Sequence, residues 1–151
     1  MSGRLAILFA FGAAILFAAG ASAGDPSPTL KIEDAWVRAM PPSAGNTAAY
    51  MTLINDGDKP VRLTGGSTPI AGSVSPMITT RKQVSGTEVL GMADVDALEI
   101  PAHGRCVLKP GGDHLMIISL KSHPKPGDHI QLTLHFEPGR KDITLDVAVR
   151  Q

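Results

Sequence analysis

His129-Ile130-Gln131-Leu132-Thr133-Leu134-His135-Phe136 is followed, after Glu137-Pro138-Gly139-Arg140, by Ile143-Thr144-Leu145-Asp146-Val147-Ala148-Val149. Alternate side chains of an extended strand point to opposite faces. Ile130, Leu132, Leu134 and Phe136 therefore share one face of a strand, and Ile143, Leu145, Val147 and Val149 share one face of the next. Pro and Gly between the two runs mark a hairpin turn.

The same grammar recurs upstream. From Thr29 to Met40, Leu30, Ile32 and Trp36 share one parity and Lys31 and Glu33 the other, which makes the single Trp a candidate core anchor. Pro41-Pro42-Ser43-Ala44-Gly45 is a loop, and Thr47 to Asn55 is a second strand carrying Tyr50, Met51, Leu53 and Ile54. Asp56-Gly57-Asp58-Lys59-Pro60 is a turn before a third strand at Val61 to Leu63, which Gly65-Gly66 should interrupt. Met77 to Gln83 and Thr87 to Ala93 flank a turn at Ser85-Gly86, and Leu98 to Pro101 and Arg105 to Leu108 flank another at Ala102-His103-Gly104. No helical periodicity runs longer than about two turns beyond the amino-terminal segment. Short strands separated by regular turn signals imply an all-β sandwich or small barrel.

The first 23 residues read as a leader rather than as fold. Arg4 precedes an apolar run from Leu5 to Ala19, and Ala21-Ser22-Ala23 has the small-x-small pattern of a signal peptidase site. The run is shorter than the ~20 residues a spanning helix needs. No Cys follows it, so it lacks the signature of a lipid-anchored leader. Residues 1–23 are thus expected to be a cleaved secretory signal peptide, and 24–151 a single exported β domain without a membrane span. Losing residues 1–23 of 151 leaves 128, enough for one core without staples. It also removes one basic residue from a balance of 14 basic and 14 acidic, so the net charge offers no footprint for nucleic acid. The single Cys106, in Arg105-Cys106-Val107-Leu108, cannot form an internal disulfide and reads first as a small buried residue.

Chemistry concentrates at Lys109-Pro110-Gly111-Gly112-Asp113-His114-Leu115-Met116-Ile117-Ile118, a tight turn running into a strand. His114 and Met116 share a face there, an imidazole beside a thioether. Met77 and Met92 bracket a hairpin whose turn lies near Val84 to Gly86, and are expected to face each other at its open end. Met51 reads as core and Met40, beside Pro41, as rim or core. His103, His123, His129 and His135 occupy turn or outward strand positions and are expected to be solvated.

These stretches resemble the periplasmic copper-chaperone family PCu(A)C over nearly the whole mature chain. The resemblance rests on Asp34-Ala35-Trp36-Val37-Arg38 with Pro41-Pro42, on Ala48-Ala49-Tyr50-Met51-Thr52-Leu53, on Ile100-Pro101-Ala102, and above all on Leu108 to Met116. The family's ligand pattern is His or Met, ten residues, Met, twenty-one residues, then His-x-Met. Met92 and His114-x-Met116 reproduce its second part, and Met77 stands in for the first ligand with fourteen intervening residues rather than ten. The resemblance implies a cupredoxin-like Greek-key β-sandwich and a periplasmic, monomeric Cu(I) metallochaperone. Its site would be Met77, Met92, His114 and Met116. Its partners would be a copper-accepting respiratory oxidase subunit and Sco-type chaperones.

Thioethers are soft, neutral donors that select Cu(I) over hard divalent ions. They do not titrate, so only His114 should make binding pH-sensitive, with affinity declining below about 6.5, the ordinary imidazole value. Two other readings are an electron-transfer cupredoxin using Cys106 and a β-sandwich binding module without metal. No activated Ser or Cys constellation, paired-carboxylate motif or phosphate-binding Gly loop points to an enzyme.

Overall fold

A computed structural model describes residues 30–139 and 142–151; the expected signal peptide, 1–23, lies outside them. The described chain is all β. Its strands are β1 (Leu30–Arg38), β2 (Asn46–Asn55), β3 (Val61–Ser67), β4 (Ala71–Val84), β5 (Thr87–Asp94), β6 (Leu98–Ile100), β7 (Gly104–Leu108), β8 (His114–Leu120), β9 (His129–Glu137) and β10 (Ile143–Arg150). They form one sheet: nine follow one another in the order β5-β4-β8-β2-β1-β10-β9-β3-β6, and β7 pairs with β2 beside that path. Gly66 of β3 pairs with Val74 of β4, which curls the sheet back on itself. All pairings are antiparallel except β1 with β10. This is the expected cupredoxin-like sandwich.

The alternation in β9 and β10 is realised as read. Ile130, Leu132, Leu134, Phe136, Val147 and Val149 are buried. They meet Val37, Met51, Leu53, Leu63, Leu115 and Ile117 in one core. Burying each such side chain contributes about 1.5–3 kcal/mol, which is what holds the curled sheet shut.

Two local expectations are corrected. Trp36 is not a core anchor. The β1–β2 register shifts between Glu33 and Trp36, with Asp34 at φ 49°. This bulge reverses the parity of the strand. Leu30 and Ile32 still pack on the core, but Val37 fills the inward position and Trp36 turns outward onto Tyr50, ring centroids 4.7 Å apart. Likewise, Gly65-Gly66 does not end β3. The strand runs through to Ser67 because the glycines allow close approach of two neighbours at once. A Cβ on Gly65 would sit 2.8 Å from the Val74 carbonyl oxygen, and one on Gly66 would collide with that of Thr133. The pair is the seam at which β3 touches both β9 and β4.

Gly66→Ala is therefore expected to destabilise the protein by about 1–3 kcal/mol, the range for overpacking. Urea denaturation followed by Trp36 fluorescence measures it, and wild-type stability would contradict the seam.

Candidate metal centre

β7 and β8 are two halves of one line. Both run antiparallel to β2, with Leu108 opposite Met51 and Leu115 opposite Ala49. Between them residues 109–113 leave the sheet beside Tyr50. Pro110 and Gly111, the latter at φ 78°, form the corner, and the Gly112 N–H donates to the Lys109 carbonyl at 3.0 Å. Pro and a positive-φ Gly at the centre are the signature of a type II turn. The Lys109 N–H then donates to the Asp113 carbonyl at 3.0 Å, closing the excursion.

His114 is the first residue back in the sheet. Leu115 and Ile117 point inward, so His114 and Met116 lie on the outer face. His114 is nonetheless only 6% exposed. Its Nδ1 lies 3.0 Å from the Gly112 carbonyl oxygen. A carbonyl cannot donate, so Nδ1 carries the proton and Nε2 keeps its lone pair in the neutral ring. The same oxygen accepts the Thr79 hydroxyl at 2.8 Å, while Asp113 Oδ1 accepts the Thr79 N–H at 3.1 Å. Strand β4 thus latches the excursion that orients the imidazole. Tyr50 closes another side, its ring centroid 6.4 Å from that of His114. Arg38 lies over the Tyr50 ring at 5.9 Å and Arg150 over Trp36 at 5.8 Å.

A cavity of about 520 Å³ opens here. Its wall includes His114, Met116, Met92, Tyr50 and Arg38, with Met40 from the segment after β1. None of the described wall residues is acidic. Among the described residues, no cluster of three or more His, Cys, Asp or Glu side chains could hold a metal. Any metal chemistry at this wall falls to thioether and imidazole.

Met77 and Met92 are not directly opposite each other. The Ser85-Gly86 turn has both φ values positive, 49° and 78°, as a two-residue type I′ hairpin requires. That turn pairs Met77 with Asp94 and Met92 with Thr79, so the two methionines are diagonal neighbours. Met77 pairs across β4–β8 with His114 itself but is not part of the cavity wall. Met92, 59% exposed, reaches the wall from β5. Arg81, at the ten-residue spacing before Met92, is exposed and paired with Glu88 at 3.3 Å.

The remaining histidines sit away from this wall. His103, His129 and His135 are beside Asp58, Asp146 and Asp142. His123 is half-buried rather than solvated, and its Nε2 donates to the Ala44 carbonyl at 2.7 Å. Cys106 pairs with Leu53 and packs against the core, on the sheet face opposite to His114. The Cys–His–Met cluster of a blue-copper site is therefore not assembled. Thr79 escaped the sequence reading because its role depends on the β4–β8 pairing.

A family model for LpqE-like lipoproteins matches residues 30–149. The chain belongs to the LpqE-like family. It is 31% identical over 116 residues to "Putative lipoprotein Lxx21020" of Leifsonia xyli subsp. xyli, spanning 77% of this chain and 67% of that one. Among solved structures, the copper-bound PCuAC domain of PmoF2 is similar at TM-score 0.65 and 27% identity, over 80% of this chain and 92% of that one. The Cu(I) form of DR1885 from Deinococcus radiodurans is similar at TM-score 0.61 and 38% identity, over 87% and 83%. The LpqE-like chain thus has a PCuAC-type domain.

Thr79→Val, which keeps the shape and removes the hydroxyl, should lower stability by about 1 kcal/mol. In ¹⁵N spectra it should also broaden or duplicate the His114 ring signals; a single unperturbed tautomer would show the latch to be dispensable. Burial first, and the Asp113 carboxylate second, raise the Cys106 thiol above its ordinary value of 9.0. A raised value means less thiolate at any given pH. Alkylation by iodoacetamide should therefore be slower than for a free cysteine and keep rising beyond the usual thiol range, and a rate matching free cysteine would contradict this.

Proposed function

We propose that this protein is an exported Cu(I) carrier. Met92, Met116 and His114 Nε2 are its donors, and Met77 is the flanking thioether beside His114. The observation that carries the reading is the commitment of His114 Nδ1 to the Gly112 carbonyl at 3.0 Å, inside a cavity whose wall also presents the thioethers of Met40, Met92 and Met116. That hydrogen bond turns an ambidentate ring into a donor with one free nitrogen. Soft neutral sulfur then selects a soft monovalent ion. The Arg38 guanidinium on the wall adds to that preference, because its repulsion doubles for a divalent ion. The copper-bound and Cu(I) states of the similar PCuAC domains support the same assignment.

Export is supported by the leader-like residues 1–23 and by the lipoprotein naming of the family. A site built without thiolate holds the ion through neutral donors only, which suits transfer rather than storage. The receiver in this reading is a respiratory oxidase copper site, with Sco-type thiol chaperones alongside. The carrier acts as a monomer in the periplasm and is not an enzyme.

A Cu(I) competition titration on residues 24–151 tests the proposal. Wild type should take up one equivalent, the combined His114→Ala and Met116→Ala variant none, and Met77→Ala should bind more weakly. Full affinity in the double variant would reject the site, and absence of uptake by wild type would favour a sandwich without metal.

A further inference from the structure

We propose, on the carrier reading above, that Trp36, Arg38, Tyr50 and Arg150 form the docking surface for an acidic protein that receives the copper. They are the chain's single Trp, its single Tyr and two of its arginines. Trp, Tyr and Arg are the residue types that dominate binding energy at protein–protein contacts. Here they gather on the outer sheet face beside the candidate metal centre, with Trp36 half-buried and Arg38 exposed.

Strand register sets their positions. Trp36 pairs with Tyr50 across β1 and β2, and the Tyr50 ring neighbours that of His114 at 6.4 Å. Val37, Ala49 and Leu115 form the next row across β1, β2 and β8. One step on, Arg38 shares a row with Ala48 and Met116, which puts Arg38 two strand spacings, or roughly 10 Å, from the candidate ligand. On its other side Arg38 pairs with Arg150 of β10. The cations are thus held by the sheet itself rather than by loops.

Like charges directly opposite each other destabilise a sheet. The two arginines are tolerated because each lies over a ring, Arg38 over Tyr50 at 5.9 Å and Arg150 over Trp36 at 5.8 Å. Arg150 is also matched by Asp34 at 3.0 Å. Arg38 has no ion-pair partner among the described residues. An exposed, unpaired guanidinium is a ready bidentate site for a carboxylate. The whole chain has 14 basic and 14 acidic residues, so the positive charge is local to this patch. A loaded centre would add to it. Thioethers and a neutral imidazole cancel none of the ion's charge, so the copper-bound protein presents one more positive charge beside Arg38 than the empty one. An acidic partner is then attracted most strongly while there is copper to hand over, and less once it has been taken.

Transfer of Cu(I) from the loaded protein to two synthetic peptides tests this. Both peptides carry a Cys-x-x-Cys pair, preceded in one by four glutamates and in the other by four lysines. The ion leaves its thioether and imidazole donors for two thiolates, the thiol protons pass to solvent, and copper stays monovalent. At low salt the glutamate peptide should receive copper faster and shift the Trp36 indole N–H signal, and the lysine peptide should do neither. Raising the ionic strength from about 0.01 M to 1 M shortens the screening length from roughly 30 Å to 3 Å and should erase the difference. Arg38→Gln should slow transfer to the glutamate peptide about two- to fivefold, the worth of one exposed ion pair, and should not slow transfer to the lysine peptide. Arg38→Lys, which keeps the charge, should retain most of the wild-type rate. Equal rates to the two peptides, or a glutamate-peptide rate unchanged in Arg38→Gln, would overturn the docking surface and leave the carrier reading intact. Failure of the wild-type protein to take up Cu(I) would overturn both.

Discussion

One carbonyl oxygen, that of Gly112, organises the centre. It accepts the Thr79 hydroxyl at 2.8 Å and the His114 Nδ1–H at 3.0 Å. Both of its lone pairs are thereby used. The first bond ties the 109–113 excursion to β4, and the second fixes the tautomer and plane of the imidazole on β8. The Asp113 carboxylate reinforces the latch by accepting the Thr79 N–H. A ring free to rotate would present either nitrogen. Here two chain segments, Thr79 on β4 and the 112–114 stretch, 33 residues apart between Thr79 and Gly112, decide which one remains available.

The two faces of the sheet have divided the labour. The inner face is apolar and builds the core; the outer face of β5, β4, β8, β2 and β1 carries thioethers, imidazole and the Trp36–Tyr50 pair. Trp36 and Tyr50 stack at 4.7 Å on that outer face, with Arg150 over the first and Arg38 over the second. This aromatic apron covers the flank of His114 and accounts for its burial on a face that is otherwise half open. It also puts fixed positive charge beside the cavity, which weighs against highly charged ions without any direct contact.

Local periodicity made much of this legible in the sequence, and non-local pairing hid the rest. The alternation of Ile130 to Phe136 and of Ile143 to Val149 shows the strands, and His114-x-Met116 shows a shared face, because both depend only on a period of two. The Met77–Met92 register was displaced because the turn is two residues long at Ser85-Gly86, and one step in turn placement moves the pairing by two. The Asp34 bulge carries no glycine to announce it, so Trp36 read as inward. Gly65-Gly66 read as a break although the glycines serve a close three-strand approach. Thr79 and Tyr50 meet His114 only through pairings across β4–β8 and beside β2, which no spacing along the chain encodes.

The collinearity of β7 and β8 separates architecture from chemistry. The two strands continue one another along β2, so the excursion between them is an insertion into a line that is already paired on either side of it. Closure entropy changes slowly with loop length, so a lineage could lengthen, shorten or recompose residues 109–113 with little strain on the core beneath. The orientation of the imidazole can then be adjusted through the excursion, while His114 and Met116 stay fixed on β8 above an undisturbed core.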